Sequence, residues 1–205
     1  AYTVHIMDVE SRDVRISNIS GVDSGGGEIV DEIVRAEIIT TAVGLRILPF
    51  IAPAIAKGIA ARRAAGQVTT YYVCCSHRYP NMFTFSDPAE ATVAAWYAVA
   101  NGYDGFLRWA YNSWVEDPIR DSRFRKWAAG DTYLVYPEGR SSIRFERLVE
   151  GIQDWEKIRL LKTEFNGDDA KLQTLHDLLE PFRSSVAFDG WEQTLRNARA
   201  TLNTL

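Results

Sequence analysis

The sequence predicts an α/β protein in which strands alternate with helices and further helices follow the last strand. Two observations carry this prediction. The spacing of apolar residues changes repeatedly between period two and period 3.6, as expected for βαβ units and a parallel sheet. Glycine-containing breaks such as Gly66 and Asn101-Gly102 separate the periodic segments. Beyond residue 165 the patterns are helical only.

Four segments have the β-branched, aromatic or alternating character of strands, and residues 2–7 are a candidate fifth. The four cover residues 13–20, 67–76, 102–114 and 130–139. A full (β/α)8 barrel has eight strands in about 250 residues, whereas this chain has 205 residues. We therefore expect the C-terminal part of a (β/α)8 TIM-type barrel. The N-terminal half of the barrel is expected to be missing from this chain or replaced by a partner. The open strand edges of such a half-barrel favour self-association unless other segments of the chain cover them.

Helical patterns follow the predicted strands, and the clearest lies in residues 86–102. Asp87 is expected as the N-cap and Pro88 as the first helical residue, with Glu90 completing a capping box. The other helical segments are residues 28–39, 51–66, 141–164, 169–184 and 189–203. We expect residues 1–165 to form the partial barrel and residues 166–205 to pack on it as a helical extension.

Composition excludes several classes of partner. The formal net charge of -4, without a local Lys/Arg cluster, argues against nucleic acid. The most apolar run, residues 47–56, contains two prolines and is shorter than the about twenty residues of a membrane span. Cys74 and Cys75 are adjacent and would point to opposite faces of a strand, so neither a disulfide framework nor a metal site is expected. The compartment stays open, with a secreted or periplasmic location favoured.

One predicted strand, residues 102–114 (GYDGFLRWAYNSW), is unusually aromatic. A strand that only fills a core would use Val, Ile and Leu, which carry no polar atoms. Barrel enzymes place their chemistry at the C-terminal ends of strands, and sugars present apolar C–H faces edged by hydroxyl groups. The candidate sugar contacts are stacking rings and hydrogen-bonding side chains: Arg108, Trp109, Tyr111, Asn112 and Trp114. Strand alternation separates Arg108 from its ring-bearing neighbours, so the set that faces a site is left open, and ordinary core packing is the alternative.

Other charged residues have two interpretations each. Asp131, before the last predicted strand, could accept hydrogen bonds from sugar hydroxyls or cap a turn. Asp117 and Asp121 lie in a long loop with Arg123 and could bind hydroxyls or form ion pairs. Arg144, Glu150 and Asp154 belong to the long helix. The two carboxylates lie one turn apart and could form a paired-carboxylate site, but helices line the outside of a barrel, so ion pairs on a solvated face are expected instead. His77, Tyr79 and Asn81 share a loop at a strand end and carry little signal.

Three runs of sequence resemble the C-terminal part of glycoside hydrolase family 123-type catalytic domains. They are TTYYVCCSHRYPNMFTFSDPAEA, GYDGFLRWAYNSWVEDPIRDSRF and AAGDTYLVYPEGRSSIRFERLVEGIQDWEKIRLL. The resemblance is dense over residues 60–162, thin over residues 13–53 and absent from residues 166–205. It implies a (β/α)8 barrel that removes terminal β-linked N-acetylgalactosamine from glycans, with no metal and no organic cofactor. It also implies a substrate-assisted retaining mechanism, in which the 2-acetamido oxygen of the substrate attacks the anomeric carbon.

The resemblance also implies an adjacent Asp-Glu pair, in which Asp orients the acetamido group and Glu is the general acid/base. Asp31-Glu32 is the only adjacent pair in that order, but its apolar neighbours place it in a helix, where the two side chains diverge by about 100°. A solvated helix face explains it better, so the catalytic residues stay unknown. The sequence therefore predicts a glycoside hydrolase-like chain lacking a recognisable acid pair, with a non-catalytic carbohydrate-binding or assembly-dependent fragment as the alternative.

Overall fold

The computed structural model describes residues 48–73, 77–108, 110–123 and 126–205, with the side chains of residues 48–55 excepted. A boundary after Thr70 divides them into two units. The predicted segments at residues 2–7, 13–20 and 28–39 lie outside the described residues, as do Cys74 and Cys75. Within the described part of the chain, no helix is both long and apolar enough to cross a membrane.

The first unit contains helix α1, Leu48–Ala64. The helix ends as its sequence predicts, because Gly66 adopts a left-handed conformation with φ of 71°. The backbone N–H of Gln67 then donates to the carbonyl of Arg62 at 2.9 Å. The Arg62 side chain continues along the same turn and donates to Thr69 Oγ1 at 3.0 Å and to the Val68 carbonyl at 3.1 Å. The predicted helix over residues 51–66 is confirmed.

The second unit is built around one βαβ arrangement. Strand β1 is Thr70–Tyr72, helix α2 is Ala89–Ala100 and strand β2 is Gly105–Leu107. β1 and β2 form a two-stranded sheet with parallel strands. The predicted capping box is present at the start of α2, where Asp87 Oδ1 accepts the Ala89 N–H at 2.8 Å and Glu90 Oε1 accepts the Asp87 N–H at 3.1 Å.

Aromatic rings join the sheet to α2. Tyr71 of β1 lies with its ring centroid 4.9 Å from Tyr97, 5.6 Å from Tyr103 and 5.1 Å from Phe106. Its hydroxyl donates to the Ala94 carbonyl of α2 at 2.7 Å. Burial raises the pKa of Tyr71 well above the usual value for a phenol, so this group stays protonated.

Three further helices complete the second unit: α3 is Ile143–Glu164, α4 is Asp169–Leu179 and α5 is Trp191–Leu202. All three agree with the predicted helical segments. Their apolar faces enclose the core together with α2, and Trp96 is fully buried there with its ring 4.9 Å from Phe182. The helices after residue 165 therefore share the core of the unit, whereas the predicted division at residue 165 stays a prediction.

A carboxylate network joins α3 to α5. Asp154 Oδ2 accepts from Trp96 Nε1 at 2.9 Å and from Arg199 Nε at 2.7 Å, and Arg199 Nη1 donates to Glu150 Oε2 at 3.0 Å. The predicted ion pairing on this part of α3 is confirmed. The predicted solvated face is wrong for Asp154, which is buried because α5 packs over α3 at this point.

Two predicted strands are shorter than expected or absent. In residues 102–114 only Gly105–Leu107 is a strand. In residues 130–139 the structure has an isolated antiparallel bridge from Tyr133 to Asn112 and a short 3-10 helix, Pro137–Gly139. The reason is that residues 111–113 pair with residues 132–134 instead of extending the sheet of β1 and β2. The described residues form two parallel strands in a mixed α/β arrangement, and the barrel itself stays a prediction.

Candidate functional site

Two exposed aromatic rings mark the candidate site. Tyr111 is 48% exposed and Trp114 is 41% exposed, large values for rings of this size. Trp114 Nε1 donates to the Val135 carbonyl at 2.8 Å, and the Tyr111 ring lies edge-on to Phe145 at 5.9 Å. Each ring is therefore held at one side while another side meets solvent. We call residues 111–114 the aromatic segment.

A second segment lies behind the aromatic segment and fixes its backbone. The Ser113 N–H donates to the Thr132 carbonyl at 3.0 Å, and Thr132 Oγ1 donates to the Ser113 carbonyl at 2.6 Å. The Leu134 N–H donates to the Tyr111 carbonyl at 2.8 Å. We call residues 130–136 the backing segment. Asn112, opposite the buried Tyr133, is exposed and has an amide that can hydrogen-bond a ligand.

Arg108 forms a buried ion pair with Asp131 of the backing segment. Arg108 Nη2 lies 2.9 Å from Asp131 Oδ1 and also donates to the Asp131 carbonyl at 3.1 Å. The side chains are only 5% and 1% exposed, respectively. An ion pair that has lost its water needs such close, directional hydrogen bonds to be stable. The sequence suggests sugar hydroxyls or a turn cap as partners of the Asp131 carboxylate. In the structure this carboxylate is paired with Arg108, and a contact with sugar stays a prediction.

Asn81 joins this ion pair to the loop before α2. Its Oδ1 accepts from Arg108 Nη1 at 2.9 Å and from the Met82 N–H at 2.8 Å. Its Nδ2 donates to the His77 carbonyl at 2.7 Å. The side chain is fully buried, so each of these bonds replaces one lost from water. The sequence pattern does not single out Asn81, because a single amide in a loop carries no periodic signal.

Glu90 extends the network to the start of α2. Its Oε2 accepts the Asn81 N–H at 2.9 Å while Oε1 holds the cap of α2. Burial raises the pKa of Glu90, and the two backbone N–H donors partly oppose that shift. Burial also raises the pKa of Tyr79, with the nearby Glu90 charge as the second cause. One carboxyl group therefore serves both as a helix cap and as an anchor for the Asn81 loop.

A second buried arginine, Arg144, comes from the first turn of α3. Its Nη1 donates to the Met82 carbonyl and, at 2.9 Å, to the Gly130 carbonyl. Its guanidinium also lies 5.6 Å from the Tyr133 ring, and burial lowers its pKa. The prediction of a solvated outer face is wrong here, since Arg144 points inward from the helix start. Its position two residues after the Ser142 cap was the available signal.

The loop after the aromatic segment carries carboxylates that pair locally. Asp121 accepts from Arg123 Nε at 2.8 Å and Nη2 at 2.7 Å, and this pairing lowers the pKa of Asp121 to about 2. Asp117 lies 3.6 Å from Arg120. The interpretation of these residues as ion pairs is confirmed. Among the residues that the structure describes, no group of three or more His, Cys, Asp or Glu side chains could hold a metal ion.

The structure thus brings five of the predicted sugar-contact residues together in two layers. Tyr111, Asn112 and Trp114 are at the surface, whereas Arg108 and Asp131 are buried and connect to them through the backing segment. Trp109 and the candidate pair Asp31-Glu32 lie outside the described residues. Two exposed aromatic rings beside the exposed Asn112 amide can bind a polar ring that has an apolar face.

Residues 28–161 match the family model for the glycoside hydrolase 123 catalytic domain. The chain belongs to glycoside hydrolase family 123. The matched range contains the aromatic segment, the backing segment and both buried arginines, and it confirms the family resemblance of the sequence. It ends close to the C-terminus of α3, so α4 and α5 lie beyond it.

A solved family 123 structure agrees with this assignment. A family 123 glycoside hydrolase from Clostridium perfringens, studied for glycolipid glycan hydrolysis, is similar with a TM-score of 0.54 and 32% sequence identity. The similarity covers 60% of this chain and 22% of the Clostridium chain. This chain therefore spans about a fifth of that family 123 enzyme.

Curated relatives from another enzyme class also match. Mannitol-1-phosphate 5-dehydrogenase of Streptococcus mutans is 29% identical over 162 residues, which cover 73% of this chain and 42% of the relative. The corresponding protein of Streptococcus pneumoniae is 32% identical over 161 residues, covering 73% and 43%. The chain spans less than half the length of these relatives.

Proposed function

We propose that this chain supplies the sugar-binding part of a family 123 glycoside hydrolase domain that removes terminal β-linked N-acetylgalactosamine. The observation that carries the proposal is the aromatic segment, in which Tyr111 and Trp114 are held from one side and exposed on another within the family-matched range. In this proposal the rings stack on the apolar face of the sugar. The Asn112 amide hydrogen-bonds its hydroxyl groups, with Trp109 as a further contact.

The proposed chemistry is substrate-assisted and retaining. The 2-acetamido oxygen of the substrate attacks the anomeric carbon, and a carboxylic acid of the protein protonates the departing glycosidic oxygen. The same carboxylate then takes a proton from water, which opens the cyclic intermediate with retained configuration. An Asp-Glu pair would divide this work. Asp31-Glu32 is the only adjacent pair in that order in this sequence, and its helical pattern favours a solvated helix face over this role.

The complete active site of this proposal is a (β/α)8 barrel, to which this chain contributes β1, β2 and the surrounding helices. Parallel strands are ordinarily covered on both faces. The strands that complete the barrel would come from other parts of the family 123 domain. A carbohydrate-binding fragment without turnover is the alternative within the same family, because binding through Tyr111, Asn112 and Trp114 does not require the acid.

Hydrolysis of an aryl β-N-acetylgalactosaminide by the chain, beside Glu32→Ala, tests turnover. Isothermal titration with N-acetylgalactosamine tests binding separately. Turnover lost in Glu32→Ala supports the pair as catalytic. Binding without turnover supports the non-catalytic fragment, and the absence of both contradicts the proposal.

The similarity to mannitol-1-phosphate 5-dehydrogenases favours a second candidate, a dehydrogenase fragment. The hydrolase is the better supported function, because the family 123 model matches residues 28–161 and a solved family 123 structure is similar to this chain. Reduction of NAD⁺ in the presence of mannitol 1-phosphate, followed at the nicotinamide absorbance, would reverse that preference.

A further inference from the structure

Two buried arginines from different elements hold the same two stretches of chain. Arg108 follows β2, and Arg144 lies in the first turn of α3. Arg108 binds Asn81 on one stretch and Asp131 on the other. Arg144 binds the carbonyl of a neighbouring residue on each stretch, Met82 after Asn81 and Gly130 before Asp131. The two side chains therefore clamp residues 81–82 to residues 130–131.

The clamp leaves little space around the backing segment. A Cβ atom at Gly130 would lie 2.6 Å from Arg144 Nη1, 2.7 Å from Thr84 Cγ2 and 2.9 Å from the Thr84 nitrogen. Gly130 also has a φ of 79°, which side-chain-bearing residues rarely adopt. The Thr84 N–H in turn donates to the Ala129 carbonyl at 2.9 Å. Any side chain at position 130 would therefore collide with Arg144 and Thr84.

The backing segment connects the clamped residues to the exposed rings by hydrogen bonds and a ring contact. Thr132, next to Asp131, exchanges two hydrogen bonds with Ser113 of the aromatic segment. The Val135 carbonyl accepts the indole N–H of Trp114. Tyr133 lies between Thr132 and Val135 in the backing segment, and the Arg144 guanidinium is against its ring. Each step in this chain of contacts is a direct hydrogen bond or ring contact.

We propose that Arg108 and Arg144 are positioning residues that fix the Tyr111–Trp114 surface through the backing segment, without touching the ligand. For its sugar-binding consequence the inference rests on the proposed function. It assigns Arg108 and Asp131 a different role from the direct sugar contact that the sequence pattern suggests. The near-complete burial of both side chains supports this role, because a ligand at the surface meets the rings first.

A spectroscopic test reads the Trp114 indole N–H directly. Its ¹H–¹⁵N signal is assigned by its loss in Trp114→Phe and then followed in Asp131→Asn, Arg108→Lys and Arg144→Met. Lysine keeps the charge of Arg108 but cannot reach Asn81 and Asp131 together through a planar fork. We expect the Trp114 signal to shift and its hydrogen exchange to accelerate at least tenfold in all three variants, whereas Arg159→Met, an exposed change on α3, leaves both unchanged.

The far-UV circular dichroism of each variant shows whether it is folded. Folded variants with an unchanged Trp114 signal and exchange rate overturn the inference. Where Arg144→Met does not fold, the nearly isosteric Asp131→Asn and the charge-conserving Arg108→Lys decide the matter alone. An unchanged Trp114 signal in Arg108→Lys would also contradict the positioning role, because it would mean that only the buried charge of Arg108 is needed.

Titration with N-acetylgalactosamine separates this inference from the proposed function. We expect the Kd to rise at least tenfold in Asp131→Asn and Arg108→Lys and to stay unchanged in Arg159→Met. Where the chain also turns over an aryl glycoside, KM should rise while kcat changes by less than about threefold, because ring placement affects binding alone. A chain that binds no sugar overturns the proposed function, and the indole signal still decides the positioning. Normal binding in the variants overturns the positioning alone.

Discussion

Trp114 donates its indole N–H to the carbonyl of Val135 at 2.8 Å while its ring stays 41% exposed. The only hydrogen-bond donor of the side chain is therefore used inside the protein. What remains for a ligand is the π-face, held in one orientation before anything binds. Such pre-organisation lowers the entropy cost of binding, since the ring loses little further freedom. The exposed indole is consistent with stacking and does not depend on a hydrogen bond to the ligand.

The buried ion pair gives the first prediction. In Arg108→Met the Asp131 carboxylate loses its charged partner while it stays buried, and we expect a loss of about 3–5 kcal/mol in the free energy of unfolding. Urea denaturation followed by circular dichroism measures this loss. The matched control is Arg123→Met, whose ion pair with Asp121 is exposed and should leave the midpoint almost unchanged.

A double variant shows whether the loss comes from the stranded charge. Arg108→Met combined with Asp131→Leu leaves no ionised group at this position, so it should recover part of the stability lost by Arg108→Met. A double variant less stable than Arg108→Met would show that the hydrogen bonds to Asn81 and the backing segment, and not the unpaired charge, dominate the loss.

Helix packing gives the second prediction. Gly151 lies where α3 meets α2, and a Cβ atom there would be 2.8 Å from the Thr92 carbonyl and 3.0 Å from Ala95 Cβ. Gly151→Ala should therefore destabilise the protein by about 1–3 kcal/mol, although alanine is the better helix former. Gln153→Ala, on the exposed side of the same helix, is the control and should be neutral or slightly stabilising. A more stable Gly151→Ala would contradict the close approach of the two helices.

The helices could be predicted from the sequence because their signals are local. The capping residues Asp87 and Glu90 and the apolar spacing of α3 determine helix starts and faces without knowledge of the rest of the chain. The inward direction of Arg144 could not be predicted in this way. It depends on two carbonyls, of Met82 and Gly130, that are 62 and 14 residues away in sequence.

The aromatic and amide residues of the segment 108–114 predict a binding surface, and that role stays a prediction. The structure shows that Tyr111 and Trp114 are exposed. Period-two alternation assumed one continuous strand, whereas the strand ends at Leu107 and the following residues pair with residues 132–135. The role of Asn81 could not be predicted, because its partner Arg108 is 27 residues away in sequence and meets it only in the folded chain.

Glu90 gives a prediction on pH. Its pKa is raised in the folded protein, so the folded state binds more protons than the unfolded state between the usual pKa of Glu and the raised value. The contribution of this group to stability is therefore greatest below that interval and is lost as the pH rises through it. We expect Glu90→Gln, which carries no ionisable group, to lack this part of the pH dependence.

Urea midpoints of the parent chain and Glu90→Gln over a pH series test this prediction. The stability difference between the two proteins should shift in favour of Glu90→Gln as the pH rises from about 4.5, and it should level off above the folded pKa. Asp121→Asn is the control with the opposite sign, because the lowered pKa of Asp121 gives stability that is lost as the pH falls toward about 2. A difference in favour of the parent that grows with pH would contradict the raised pKa of Glu90.

The exposed rings give the last prediction. Trp114→Ala removes the stacking face and should raise the Kd for N-acetylgalactosamine at least tenfold, about 1.4 kcal/mol, with little change in the unfolding midpoint. Tyr111→Ala should act in the same direction. The matched control is Phe85→Ala, since Phe85 is more exposed than either ring and stacks on Phe83 at 4.9 Å. Equal losses of affinity in Trp114→Ala and Phe85→Ala would mean that the sugar binds any exposed aromatic ring. Unchanged affinity in Trp114→Ala would mean that the sugar binds at another surface.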